Sequence, residues 1–84
     1  MTFTVFISKS AQKSLDRLPF LMREKISKVI LSLSTVSRPP NCKKLSGREA
    51  WRIRVGDYRV IYEIQEDRLI ILVVVVGHRK EVYR

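Results

Sequence analysis

The chain has 84 residues, of which 45% are hydrophobic, and 17 lysines and arginines against 8 acidic residues give it a net charge of +9. This length and composition exclude a disordered chain and predict a single domain over residues 1–84 with one modest core. The longest apolar run, Leu69–Val76, has the length of a strand and not of a membrane span. Beyond general solubility, the charge suits a phosphate backbone, an anionic membrane or an acidic protein partner.

The cellular setting is constrained by a single cysteine, Cys42, which can form neither an internal disulfide nor a cysteine-based metal cluster. We therefore expect a reduced, cytoplasmic setting. The first residues lack a charged segment followed by an apolar stretch, so we expect no secretory signal.

The first half of the chain predicts one strand and a first helix. Residues Thr2–Ser8 alternate between polar and apolar, with β-branched and aromatic side chains, which predicts a strand. Ser8 or Ser10 can cap a helix. Apolar residues at helical spacing from Ala11 to Leu18 predict that helix, which should end at the following proline.

A second, longer helix is predicted by apolar residues that repeat every three or four positions, namely Met22, Ile26, Val29, Ile30 and Leu33. Two consecutive amphipathic helices predict a helical hairpin that covers one face of a sheet. Residues Ser37–Asn41 contain two prolines and break the helical pattern, and Lys43–Glu49 is predicted to be a basic loop.

The last third of the chain predicts three strands, over Ala50–Val55, Tyr58–Ile64 and Leu69–Gly77. Gly56-Asp57 suits a two-residue hairpin turn of the primed type. Because the last strand is apolar at every position up to Val76, we expect it to be buried on both faces in the sheet interior. The predicted fold class is α+β, with a two-helix hairpin on one face of a mainly antiparallel four-stranded sheet in the order β-α-α-β-β-β.

A two-residue turn at Gly56-Asp57 fixes which side chains share a sheet face, since side chains alternate along a strand. One face then carries a core set, which we expect under the helices: Trp51, Ile53, Val55, Tyr58, Val60 and Tyr62. The other face carries Arg52, Arg54 and Arg59, with Ile61 beside them. Three arginines on one face repel one another unless their stems splay into water or a polyanion fills the surface. A solvated edge hairpin with scattered charge is the structural alternative.

Phosphodiester cleavage is a reaction that such a surface could serve. In RNA cleavage the 2′-hydroxyl attacks its own 3′-phosphate, and guanidinium groups stabilise the negative charge that builds up on the phosphorane. Arginine is a poor proton carrier, so a base and an acid are still needed, or alignment supplies most of the rate. His78 and Tyr83 near the C-terminus are the remaining candidates, although each could equally be structural.

Several segments together resemble the RelE/ParE toxin superfamily, and specifically a RelE-type toxin. They are Leu45-Ser46-Gly47, the run from Trp51 to Tyr62, Val76-Gly77-His78-Arg79 and Val82-Tyr83-Arg84. The resemblance covers nearly the whole chain, because the order of helices and strands also fits. It implies a microbial-ribonuclease-like fold that needs no metal or other cofactor.

The resemblance also implies an activity and two partners. RelE-type toxins enter the ribosomal A site and cut the mRNA there, leaving a 2′,3′-cyclic phosphate and a 5′-hydroxyl, and they pair with an antitoxin that is often acidic. The implied partners are thus the 70S ribosome with its mRNA and a cognate acidic antitoxin. Matched positions give a catalytic group of Arg54, Arg59, Arg79 and Tyr83. We expect RNA binding by Arg52, Arg54, Lys43, Lys44, Arg48, His78 and Lys80.

RelE proper has lysines where this chain has Arg52 and Arg54, which leaves open whether these residues, Tyr83 or His78 transfer the proton. The implied functions also have alternatives. The ParE branch of the superfamily inhibits DNA gyrase on the same fold, and a third possibility is a module that binds RNA or ribosomes without cutting.

Overall fold

The computed structural model describes residues 2–78. It contains the strands β1 (Thr4–Ile7), β2 (Lys43–Lys44), β3 (Ala50–Val55), β4 (Tyr58–Gln65) and β5 (Ile70–His78), and the helices α1 (Lys9–Asp16) and α2 (Phe20–Ser32). No helix in this part of the chain combines the length and apolarity that a membrane crossing requires.

The strands form one mixed sheet in the order β1-β5-β4-β3-β2. β1 runs parallel to β5, and all other neighbours are antiparallel. The predicted α+β class and mainly antiparallel sheet are confirmed. The sheet has five strands where four were predicted, because Lys43 and Lys44 pair with Arg52 and Trp51 of β3. Lysine has a low strand propensity, so tertiary pairing decides the conformation of these two residues.

Both helices pack on the same sheet face, as predicted. The buried cluster joins Ala11, Leu15, Ile26, Ile30 and Leu33 of the helical segment to residues of the sheet, including Trp51, Ile53, Val55, Val60, Tyr62, Ile71 and Val73. We call this side of the sheet the helix face and the opposite side the open face.

The helix boundaries have local causes. Ser8 rather than Ser10 caps α1, since its Oγ accepts a hydrogen bond from the backbone N–H of Ala11 at 3.2 Å. α2 begins at Phe20, before the first apolar residue of the predicted repeat. Pro19 precedes it as the N-cap with an extended ψ of 148°, since a proline lacks an N–H and does not fit in the interior of a helix.

The hairpin between β3 and β4 has the predicted register. Val55 pairs with Tyr58, Arg54 with Arg59, and Trp51 with Tyr62. Gly56 has a φ of +61°. Among the described non-glycine residues, Leu69 alone has a positive φ, so the φ of Asp57 is negative. This is the pattern of a type II′ turn, whose first central position favours glycine.

The expectation that the last strand is buried on both faces was wrong. β5 does lie in the sheet interior, between β1 and β4. Ile71, Val73 and Val76 are buried, but Val75 is 37% exposed. Because both helices cover one face, the β5 side chains of the open face have nothing from residues 9–32 packed above them.

Candidate nucleic-acid interface

The open face carries the three arginines of the predicted site. Arg54 lies directly across from Arg59, and Arg52 lies across from Ile61 on one side and Lys43 on the other. Paired residues point to the same side of a sheet, so Arg52, Arg54, Arg59 and Lys43 share this surface. We call these four residues the cationic face.

Arg59 differs from its neighbours in burial. Its side chain is 6% exposed, whereas Arg54 is exposed and Arg52 is half-buried. Among residues 2–78 it is the only charged residue that is buried. Arginine keeps its charge inside a protein, and a charge away from bulk water acts more strongly on a nearby anion.

The strand order explains the position of Arg59. β4 has a neighbour on each side, and Arg59 faces Arg54 of β3 and Gly77 of β5. Gly77 contributes no side chain, so the surface beside Arg59 is bounded by backbone on that flank. A guanidinium held on a central strand in this way is well placed to bind an oxyanion without rearrangement.

The structure does not bring together three of the residues that were predicted to bind RNA, namely Lys43, Lys44 and Arg48. Lys43 belongs to the cationic face, but Lys44 pairs with Trp51 and therefore lies on the helix side of the sheet. There its Nζ is 5.9 Å from the centroid of the Trp51 ring and 3.3 Å from Oε1 of Glu49. Arg48 is exposed between β2 and β3.

His78 lies at the same end of the sheet as Arg59 but on the other side. It pairs with Tyr58, whose partner on β3 is Val55 of the core. The rings of Tyr58 and His78 meet edge to face, with centroids 5.6 Å apart and an interplanar angle of 81°. His78 is therefore not one of the residues brought together on the open face.

The remaining predicted site residues, Arg79, Lys80 and Tyr83, lie outside the described residues. Within residues 2–78 no three histidine, cysteine or carboxylate side chains come together in a way that could hold a metal ion.

A second candidate surface was not predicted from the sequence. A cavity of about 210 Å³ lies on the helix side of the sheet and is lined by Ser14, Arg17, Leu18, Tyr58, Val76, Gly77 and His78. We call it the α1 cavity. Ser14 and Arg17 are one helical turn apart, so the sequence alone indicates that their side chains are neighbours. Their approach to His78 depends on the pairing of β4 with β5, and a bulge between Ile61 and Tyr62 shifts that register.

Arg38 was also missed, and its role is structural. Its guanidinium carbon is 4.7 Å from the centroid of the Trp51 ring, and it forms an ion pair with Glu66. Together with Lys44 it covers the one tryptophan of the chain. An arginine after a helix carries no sequence signal for such a contact, because the partners are 13 and 28 residues away in the chain.

The sequence profile of the ParE toxin of type II toxin–antitoxin systems (parDE) matches residues 5–83. The chain belongs to this family. Within the wider RelE/ParE superfamily it is also 33% identical, over 88 residues, to a Methanocaldococcus jannaschii protein named as a candidate toxin, RelE1. That alignment covers 100% of this chain and 98% of the relative. The chain is thus a toxin of a type II toxin–antitoxin system, and the predicted superfamily membership is confirmed.

Solved structures of toxins from the same superfamily share this ParE-family fold. The RelE–RelB complex of Pyrococcus horikoshii OT3 superposes with a TM-score of 0.85 at 29% identity, covering 94% of this chain and 97% of that one. The RelB–RelE complex of Methanococcus jannaschii gives 0.75 at 29% identity, covering 93% and 94%. Free E. coli RelE, a mutant form, gives 0.83 at 22% identity, covering 99% and 92%, which supports the fold alone.

Proposed function

We propose that this toxin is a ribosome-dependent endoribonuclease that cuts mRNA in the A site. The observation that carries the proposal is the buried Arg59, held on a central strand with Arg54 and Arg52 on the same open face. Cations that converge where one scissile phosphate can sit serve phosphodiester cleavage by stabilising the charge of its transition state, whereas inhibition of gyrase does not by itself call for them.

The proposed reaction is an in-line transesterification that needs no outside reactant. The 2′-oxygen bonds to the phosphorus of its own 3′-phosphate, and the bond from phosphorus to the 5′-oxygen of the next nucleotide breaks. One proton leaves the 2′-hydroxyl and one is delivered to the departing 5′-oxygen, so the products are a 2′,3′-cyclic phosphate and a 5′-hydroxyl. The reaction needs no metal in this scheme, because guanidinium groups supply the positive charge.

The residues divide the work by burial and position. Arg59, with Arg79, stabilises the phosphorane, while the more accessible Arg52 and Arg54 hold and orient the RNA. Tyr83 stacks on an unpaired base or transfers a proton. His78 faces the helix side of the sheet, away from Arg59, so we assign the action at the scissile phosphate to Tyr83 rather than to His78.

The proposed protein partner is an acidic antitoxin in the cytoplasm. The solved relatives include toxins bound to RelB antitoxins. On the open face of this chain the apolar Phe6 and Val75 are 51% and 37% exposed; Val75 lies across from Ile61, the partner of Arg52, and Phe6 lies on the edge strand β1. A segment with both acidic and apolar side chains would complement that surface.

Primer extension on mRNA translated by purified ribosomes tests the proposal. We expect new 3′ ends within A-site codons, a 2′,3′-cyclic phosphate at each cut, and no cutting of the same mRNA without ribosomes. Ribosome binding without cutting would instead identify a non-cleaving binding module. Folded protein whose expression leaves growth and translation unaffected would overturn the toxin assignment for this chain.

Gyrase inhibition is the second candidate, because the family profile that matches is that of ParE. A DNA supercoiling assay with purified gyrase separates the two functions. Inhibition of supercoiling together with intact A-site codons would replace the nuclease proposal.

A further inference from the structure

The α1 cavity combines the chemical groups that recognise a single nucleotide. Tyr58 and His78 present two rings at 81° to each other, Arg17 contributes a guanidinium, and Ser14 contributes a hydroxyl. Leu18 and Val76 add an apolar wall. Unpaired bases stack on aromatic and imidazole rings, and a guanidinium fork matches phosphate oxygens.

Burial orders these groups from the inside to the mouth. Among the lining residues Val76 is 3% exposed, Tyr58 and His78 are half-buried, and Arg17 is exposed. An apolar and aromatic interior with a cation at the rim suits a planar ring that carries an anionic group. About 210 Å³ is smaller than the roughly 300–1,000 Å³ of pockets that enclose a drug-sized ligand, so the cavity accommodates one ring system and not a larger substrate.

The cavity also lies close to the cationic face. Tyr58 precedes Arg59 in β4, and His78 follows Gly77, the partner of Arg59 in β5. The two surfaces therefore occupy opposite sides of the same end of the sheet. A single-stranded RNA that follows this end of the sheet would meet both surfaces.

We propose that the α1 cavity binds one unpaired nucleotide of the RNA, with its base against Tyr58 and His78 and its phosphate on Arg17. This inference rests on the proposed function in that RNA is taken as the ligand, but binding to the cavity requires neither the ribosome nor cleavage. It makes Arg17 and Tyr58 RNA-positioning residues on the side of the sheet that faces α1.

The chain has one histidine, so the imidazole signals of His78 report on the cavity without ambiguity. The full-length protein is titrated with adenosine 3′-monophosphate and, separately, with adenosine and with inorganic phosphate, while the His78 ring resonances are followed by NMR. We expect the nucleotide to shift these signals saturably and to bind about tenfold or more tightly than either fragment. A response to phosphate equal to that of the nucleotide would overturn base recognition.

Variants test the two contacts separately. Arg17→Ala should weaken nucleotide binding about tenfold or more. Arg68→Ala removes an equal charge from an exposed position in the β4–β5 turn and should leave binding unchanged. Tyr58→Leu should weaken binding by a similar factor, and Tyr58→Phe should restore it because the ring remains. Equal binding by Arg17→Ala and Arg68→Ala contradicts the proposal.

Cleavage measured in parallel separates this inference from the proposed function. If the wild-type protein cuts A-site codons but the His78 signals ignore the nucleotide, the cavity assignment fails and the nuclease stands. If the nucleotide binds as expected and no ribosome-dependent cutting occurs, the nuclease fails and the binding site stands. The fluorescence of the single Trp51 checks that each variant is folded.

Discussion

At the scale of single residues, Arg59 combines two properties that rarely occur together, a permanent charge and near-complete burial. Burying a charge has a free-energy cost that a protein recovers only through compensating interactions. The burial suits the role proposed for Arg59, since a preorganised cation need not reorganise when the transition state forms.

Replacing Arg59 tests that role directly. We predict that Arg59→Ala lowers single-turnover cleavage on programmed ribosomes about 10²–10³-fold, because a transition-state contact is lost, while ribosome affinity changes far less. The matched change Arg68→Ala, at an exposed turn position, should cut at the wild-type rate. Wild-type cleavage by Arg59→Ala at saturating protein would show that the buried guanidinium has another purpose.

Tyr62 is a second buried polar residue, and its role is structural. Its hydroxyl donates a hydrogen bond of 2.8 Å to the carbonyl of Ser37, which fastens the segment after α2 to the sheet. Burial, followed by the contact with Cys42, raises the pKa of the Tyr62 phenol well above its ordinary value of about 10. Tyr62→Phe should reduce the free energy of unfolding by about 1 kcal/mol near neutral pH.

The raised pKa adds a pH dependence to this prediction. The phenol ionises more readily in the unfolded chain than in the folded one, so its contribution is complete below a pH of about 10 and declines as the pH rises further. Urea titrations from pH 7 to pH 11 measure the effect. The wild type should lose more stability than Tyr62→Phe above pH 10, and parallel curves for the two proteins would contradict the assignment.

At the scale of elements, the β3–β4 hairpin sets the geometry of the site. Its turn places Arg54 opposite Arg59, and a shift of one residue would send the arginines of one strand to the helix face. Gly56, with its φ of +61°, holds that register.

We predict that Gly56→Ala destabilises the protein by about 1 kcal/mol, because a Cβ at positive φ is strained. Space is not the cause, since an added Cβ would stand 3.6 Å from Cε of Met22, an ordinary contact. Asp57→Ala, at an ordinary φ in the same turn, is the control and should change stability by less than about 0.5 kcal/mol. Equal thermal stability of the two variants in calorimetry would rule out the turn strain.

Local patterns predicted this hairpin because its signals are close together in the chain. Alternation of side chains and a glycine at the turn are enough to place Arg52, Arg54 and Arg59 on one face. His78 could not be placed in the same way. Its side of the sheet depends on the β4–β5 register, where the pairing skips Val74 of β5 between Ile61 and Tyr62, and no turn signal in the sequence predicts that shift.

The two-residue strand β2 and the exposed open face of β5 escaped prediction for a different reason. Lys43 and Lys44 form a strand because β3 is there to pair with them, and Val75 is exposed because both helices lie on the other side. Both outcomes depend on tertiary arrangement, which composition and periodicity do not encode. The helices, whose apolar repeats are local, were predicted to within a few residues.

At the scale of the whole molecule, the net charge of +9 could attract RNA in two ways. In a diffuse positive field every surface cation would contribute equally to RNA affinity, whereas in a defined interface a few cations would contribute most of it. The structure favours the second, because Arg52, Arg54, Arg59 and Lys43 converge on one face, while Arg68 lies in the turn after β4, beyond Gln65, which is six residues or about 20 Å along the strand from Arg59.

Salt dependence distinguishes a defined interface from a diffuse field. If four cations neutralise phosphates of a single-stranded RNA, log K should fall against log salt concentration with a slope of about −3, at roughly −0.7 for each phosphate. Arg54→Ala, which removes an exposed cation of the face, should make the slope shallower by about 0.7, whereas Arg68→Ala should leave it unchanged. Fluorescence anisotropy of a labelled oligonucleotide between 50 and 300 mM salt measures both slopes. Should the two variants flatten the slope equally, the attraction is a property of total charge, and the cationic face is not the place where the protein meets RNA.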